Sequence, residues 1–268
     1  MEKSIKSFDG TKIFYKINRM DDKKPTMVFI HGLSCNITVW KDIAPFFEKN
    51  NYSVILSDLR GHGKSDKKAD ISFEKAAKDI NIILEKENIK DAILIANCFG
   101  TGIALQCYHL HPEKIRKMAF ITPTYINPLK YHNKIVNKFT NLFYNMLKKG
   151  LKYTKVKDRA YTYSDHTRDK KSRCLTLYLK NFKDNPLRTH LACFYQLMVQ
   201  DDSKILPKIN APVLILAAEK DFYTPLKISE DLKKMIRNSE LEIIKGMDHA
   251  MMIRIPEKIN KLIYNFIK

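Results

Sequence analysis

Short apolar runs rich in isoleucine, valine, leucine and phenylalanine punctuate the chain, with amphipathic stretches between them. The runs Met27–Ile30, Val54–Leu56, Ala92–Ala96, Met118–Ile121, Val213–Ala217 and Leu241–Ile244 are too short for helices and carry no alternating polar face. They predict strands of a parallel sheet, buried on both faces. Between them apolar residues return every three or four positions, as at Ile80, Ile83 and Leu84, and again at Ile259, Leu262, Ile263 and Phe266. That is the period of helices covering such a sheet. Lys6–Tyr15 reads differently: Asp9-Gly10 marks a turn between two extended arms, which predicts an antiparallel hairpin. Strand–helix alternation after an antiparallel start predicts an α/β doubly wound sheet.

The alternation stops between Thr124 and Leu206, where the pattern turns helical. This divides the chain into a core of residues 1–123 and 207–268 and a helical insertion of residues 124–206. Within the insertion, Ile135, Val136, Phe139, Leu142, Phe143, Met146 and Leu147 form a stripe at 3.6-residue spacing with lysines around it. The stripe predicts a helix packed on the sheet domain. Docking on a membrane surface and lining an acyl pocket are the other readings of it.

Composition narrows the class. At 268 residues and 44% hydrophobic the chain can bury a full core, which excludes wholesale disorder. No apolar run approaches the ~20 residues of a membrane span, and the opening Met1-Glu2-Lys3-Ser4-Ile5-Lys6 lacks the apolar stretch of a secretory signal. The five cysteines, Cys35, Cys98, Cys107, Cys174 and Cys193, are odd in number and show neither a CxxC pair nor zinc spacing with histidine. A cytoplasmic protein with reduced thiols and no metal or cofactor is the expectation. Charge is the unusual feature. Lysine and arginine number 48 against 29 acidic residues, a net +19. The insertion alone holds 17 basic and 6 acidic residues and no glutamate, so +11 of the excess lies there. Such a field attracts anionic or lipidic partners, acyl-CoA or anionic headgroups among them. No nucleic-acid motif accompanies it, and a lysine-rich composition with solvated charges accounts for most of it.

Four stretches carry the chemistry, and their order matters. His31-Gly32-Leu33-Ser34 follows the first parallel strand, and Asp58-Leu59-Arg60-Gly61-His62-Gly63-Lys64-Ser65 follows the next. Ala96-Asn97-Cys98-Phe99-Gly100 joins a strand to a helix, and Asp221 and His249 each lie just past a late strand. Together with His111-Pro112-Glu113-Lys114-Ile115, this arrangement resembles the α/β-hydrolase fold superfamily of the lid-bearing kind, over nearly the whole length except the lid. The resemblance implies a mostly parallel eight-stranded sheet with helices on both faces and residues 124–206 as an inserted lid.

The departure is at the nucleophile. The superfamily's elbow is Gly-x-Ser-x-Gly; here Ala96 takes the first glycine position and Cys98 the serine position, while Gly100 is retained. A cysteine elbow is similar to those of the dienelactone hydrolases and polyhydroxyalkanoate synthases, although no other stretch marks the chain as either. A helix N-terminus and an imidazolium neighbour both favour thiolate over thiol, and a thiolate attacks a carbonyl to give a thioester acyl-enzyme. His249 is the expected general base and acid, and Asp221 its orienting carboxylate, with Glu219 and Asp248 as rivals nearby. The resemblance implies an oxyanion hole from the backbone N–H groups of Leu33 and Phe99. His31 and His62 read as structural loop residues, and Cys35 as a packing residue close to the oxyanion loop. The expected activity is hydrolysis of a carboxylic ester, lactone or thioester. Acyl transfer to another acceptor is the alternative, and a ligand-binding protein that has lost turnover is a further one.

Overall fold

Burial and β-branching decide the centre of the molecule. In the computed structural model the runs Thr26–Ile30 and Ala92–Asn97 are strands β3 and β5, and every residue of both is buried. Val54–Ser57 is β4, Ile115–Ile121 is β6 and Val213–Ala218 is β7. The hairpin of β1, Glu2–Lys6, and β2, Lys12–Asn18, turns at Gly10, whose φ of +80° suits a residue without Cβ. With β8, Ser239–Ile244, these form one eight-stranded sheet in the order β1-β2-β4-β3-β5-β6-β7-β8. Pairings β1–β2 and β2–β4 are antiparallel and the rest parallel. The model describes residues 1–20, 23–132, 134–157, 161–163, 175, 176, 179 and 182–268, with backbone alone for 134–139.

The sheet separates two apolar layers. On one face α2 (Phe73–Lys86), α3 (Phe99–Leu110) and α6 (Leu226–Met235) place Ile80, Ile83, Ile103 and Leu232 against it. On the other, α1 (Ala44–Lys49) and α8 (Pro256–Ile267) contribute Phe47, Ile259 and Ile263 around Trp40. One strand corrects the expectation of uniform burial. β8 is an edge strand, and its Glu240, Glu242 and Ile243 are exposed because no described strand pairs beyond it.

Between β6 and β7 the chain forms α4 (Lys134–Tyr153) and α5 (Leu187–Val199). These helices pack on each other through Phe143–Phe194 and the stacked Tyr144–Tyr195 rings, 6.5 and 5.5 Å between centroids. The segment is tied to the core by polar contacts. Thr189 Oγ1 donates to Gly61 O at 3.2 Å, Tyr131 OH to Asp231 Oδ2 at 2.9 Å, and Lys67 Nζ to Asn185 Oδ1 at 3.0 Å. The predicted seven-residue stripe does not face one neighbour. Leu147 is buried, Phe143 lines a cavity, and Leu142 and Met146 face solvent. Positions 142 and 147 lie about 140° apart around a helix, too wide an arc for a single packing surface. The side chains of Ile135, Val136 and Phe139, and Cys174, lie outside the described residues.

Candidate active site

Cys98 stands alone between the last residue of β5 and the first of α3, at φ +48° and ψ −113°. A non-glycine residue in this left-handed region is strained. The surroundings hold it there. Its N–H donates to Ile121 O at 3.0 Å, and its carbonyl accepts from Thr101 N at 2.9 Å. Asn97 Nδ2 reaches Ile121 O at 3.2 Å and Thr122 Oγ1 at 3.1 Å, pinning the elbow to the end of β6. Gly100 is needed because a Cβ there would lie 2.4 Å from Ile30 O, so α3 could not start so close to β3. Gly32 serves the same end from the facing loop, where a Cβ would meet Asn97 Oδ1 at 2.7 Å. Ala96, in the position of the first elbow glycine, is fully buried.

The histidine and its carboxylate arrive from β8 and β7. His249 Nδ1 lies 2.7 Å from Asp221 Oδ2. A carboxylate can only accept, so Nδ1 carries the hydrogen and the tautomer is set. Asp221 is itself held: Oδ1 accepts from the backbone N–H groups of Tyr223 and Thr224 at 2.8 and 2.9 Å, and Oδ2 from Thr224 Oγ1 at 2.8 Å. The ring's Nδ1 also lies 3.4 Å from Thr224 Oγ1, and its further polar partner is Cys98. Burial works against charge on His249, but the Asp221 carboxylate and then Cys98 raise its pKa well above the ordinary histidine range. The rival carboxylates are engaged elsewhere. Glu219 Oε2 accepts from Gly246 N at 2.7 Å, and Asp248 forms a two-pronged pair with Arg254 at 2.8 and 2.6 Å.

Leu33, in the loop after β3, lines one cavity with Cys98, and Phe99 follows Cys98 at the N-terminus of α3. Phe99 is the first residue of its helix, so its N–H has no carbonyl four residues earlier within it. Both histidines of the neighbouring loops are buried and locally bonded. His31 Nε2 accepts from Leu59 N at 3.1 Å, and His62 Nδ1 lies 3.0 Å from Arg60 O. Burial keeps His62 well below the ordinary histidine pKa, and Cys193 Sγ lies 3.7 Å from its Nε2. Cys35 is half-buried and lines the cavity described next.

Ser34, the last residue of the loop stretch after β3, is held by two residues that carry no motif, His190 and Asn185. Ser34, buried and at φ +60°, follows Leu33 directly. Its Oγ lies 2.5 Å from His190 Nδ1, and Asn185 Nδ2 donates to its carbonyl at 3.2 Å. His190 Nε2 is 2.8 Å from Phe182 O and must donate to it, so Nδ1 is the acceptor and Ser34 the donor. Burial lowers the His190 pKa, which keeps this neutral form. The segment between β6 and β7 thus grips the loop bearing Leu33 from behind. Only the pairing of distant segments reveals this contact, since a lone histidine 156 residues away in sequence carries no local signal.

Above Cys98 and His249 opens a cavity of about 430 Å³. Leu33, Leu129, Phe143, Leu197, Met198 and Met252 represent its walls, and no lysine, arginine, aspartate or glutamate lines it among the described residues. Nor do the described residues bring together three or more histidine, cysteine, aspartate or glutamate side chains that could hold a metal ion. No described helix is long and apolar enough to cross a membrane.

A sharp strand-to-helix turn presenting one side chain, with a carboxylate-bonded histidine at the carboxyl end of the sheet, defines a class. Residues 25–254 match the family model of the alpha/beta hydrolase fold, and the chain belongs to that family. It is similar to the uncharacterized hydrolase YugF of Bacillus subtilis, 23% identical over 263 residues that cover 97% of this chain and 96% of that one. Protein ABHD8 of Homo sapiens is 23% identical over 90% of this chain but only 54% of its own length, so the chain spans about half of that relative. Among solved structures, an esterase (EaEST) from Exiguobacterium antarcticum superposes with a TM-score of 0.80 at 21% identity, covering 100% and 99% of the two chains.

Proposed function

We propose that this chain is a hydrolase that cleaves carboxylic esters, lactones or thioesters of uncharged, apolar acyl groups through a thioester on Cys98. The observation that carries the reading is Cys98 at the strained elbow, partnered by His249 and open to a cavity whose described lining, His249 apart, is largely apolar. The names of its relatives, a hydrolase and an esterase, agree with it. Residues 124–206 act as the lid that roofs this cavity.

On this reading His249 takes the Cys98 proton and becomes an imidazolium, which Asp221 stabilises. Sulfur attacks the carbonyl carbon. The oxygen that gains the electron pair is held by the N–H groups of Leu33 and Phe99. The carbon–oxygen or carbon–sulfur bond to the leaving group breaks, and the imidazolium protonates that group as it departs. Water, losing its proton to His249, then attacks the thioester, and the carboxylic acid leaves as sulfur regains its proton from the ring. The cavity supports an apolar acyl group because each buried CH₂ contributes roughly 0.8 kcal/mol, whereas an unpaired charge there loses its hydration.

Intact-protein mass spectrometry after mixing with a series of acyl esters and acyl thioesters tests the reading. The acyl mass should appear on the wild-type chain, be absent from Cys98→Ala, and disappear as free acid forms. Product appearing on an added alcohol, amine or thiol instead of as acid would make the enzyme an acyltransferase. Undiminished turnover by Cys98→Ala would remove the mechanism, and an inert wild-type chain that still binds the esters would leave a binding protein.

A further inference from the structure

Helix α4 carries two apolar surfaces on different sides. One lines the cavity through Phe143. The other points to solvent: Leu142 is 58% and Met146 61% exposed, and Tyr153 lies on the same side. At about 100° per residue, positions 142, 146, 149 and 153 fall within about 60° of one another. Lys149 therefore sits inside this stripe, and the exposed Lys152 lies about 60° further round the helix. The helix contains no acidic residue. Across the mouth, Phe222 lines the same cavity yet is 70% exposed, stacking edge-on against His132 with 4.9 Å between centroids.

Large apolar side chains left in water next to lysines, at the rim of a cavity with a largely apolar described lining, need an occupant. Its chemistry follows from the rim and the cavity together. Apolar side chains seek an acyl interior, the lysines seek anionic groups in the plane where that interior meets water, and an acyl pocket opens between them. We infer that α4 docks on an anionic lipid surface with Leu142, Met146 and Lys149 inward, and that the cavity takes its acyl substrate from that surface. The docking half does not need Cys98. The source of substrate rests on the function proposed above.

The test uses the full chain and vesicles of phosphatidylcholine, with or without phosphatidylglycerol, measured by co-sedimentation across a salt series. Binding should appear with phosphatidylglycerol, be weak on phosphatidylcholine alone, and fall as salt screens the lysines. Leu142→Asp and Met146→Asp should each weaken it about tenfold or more, since each removes a side chain's worth of apolar transfer. Neither residue lines the cavity, so turnover of short water-soluble esters and the circular dichroism spectrum should stay as in wild type. Cys98→Ala should bind as wild type does, which separates a failure of docking from a failure of the catalytic reading. Absent binding to phosphatidylglycerol vesicles overturns the inference. So does binding that survives both aspartate substitutions, because the general +19 charge would then be its cause. Should docking hold while vesicle-borne esters turn over no faster in wild type than in Met146→Asp, the surface is an attachment site and the substrate half is overturned.

Discussion

At His249 the neighbouring groups set the charge state, and this can be measured. The His249 pKa is raised against burial by Asp221 and by Cys98. Replacing Cys98 by serine removes the second of these influences, and Asp221→Asn removes the larger. Both variants should therefore titrate His249 at lower pH than wild type, with the greater fall in Asp221→Asn, read from the imidazole proton shift by NMR. An unmoved titration in Cys98→Ser would mean that no thiolate–imidazolium pair exists. Turnover should drop by orders of magnitude in Asp221→Asn, because the amide favours the wrong ring tautomer. A second prediction concerns Ser34, whose position depends on His190 and Asn185. If Leu33 donates to the oxyanion, His190→Ala should lower kcat for esters by about tenfold or more with little change in KM. Alkylation of Cys98 by iodoacetamide develops no oxyanion, so its rate should stay near wild type, a split that general unfolding would not produce. The link also has a pH sense. His190 is buried neutral, so its contribution to stability is complete above the unfolded histidine pKa and is lost as pH falls through the lowered folded value.

Among the elements, the junction of β5 and α3 is the most constrained, and Gly100 is its test. An added methyl would meet the Ile30 carbonyl at 2.4 Å, a backbone atom that cannot swing away. Gly100→Ala should destabilise by about 1–3 kcal/mol, visible as an earlier urea midpoint, and should displace Cys98 enough to slow its alkylation. Unchanged stability would show that α3 can slide outward. The strands of the sheet interior were readable as apolar runs because burial on both faces leaves no polar position. β8 misled in one respect: the apolar Leu241, Ile243 and Ile244 suggest a strand buried on both faces, but Glu240 and Glu242 already mark the exposed side that the edge of a sheet tolerates. Helix α4 misled more. Periodicity announces an amphipathic helix without saying how many neighbours share its arc, and here a cavity, a packing face and solvent divide it.

For the molecule as a whole, the buried Arg60 is a keystone between the hairpin and α2. Its Nε and Nη2 each donate to Asp79 at 2.7 Å, and Nη1 reaches Asp9 at 3.0 Å and the Asp70 carbonyl at 2.9 Å. Arg60→Ala leaves Asp79 desolvated and unpaired, which should cost about 3–5 kcal/mol in denaturant unfolding. Replacing Arg60 by methionine and Asp79 by leucine together should recover most of that loss, since an apolar pair needs no hydration. A double variant as unstable as Arg60→Ala would show that the contacts to Asp9 and Asp70 matter more.

The order of strands, the elbow around Cys98 and the late placement of Asp221 and His249 were legible in the chain itself. Each is a local pattern: an apolar run, a strand-to-helix turn, a polar residue just beyond a strand. The sequence favours Asp221 over Glu219 and Asp248, but only the meeting of the loops after β7 and β8 shows that it bonds the histidine, because hydrogen bonding depends on angstroms that spacing does not contain. The same holds for Ser34 with His190 and Asn185, whose partners lie more than 150 residues apart. Charge shows the limit most plainly. The sequence concentrates +11 between residues 124 and 206, yet folding turns apolar side chains inward and leaves no described lysine, arginine, aspartate or glutamate on the cavity wall. Net charge is a sum over residues, whereas the medium a substrate meets is set by the few side chains that tertiary packing brings to one place.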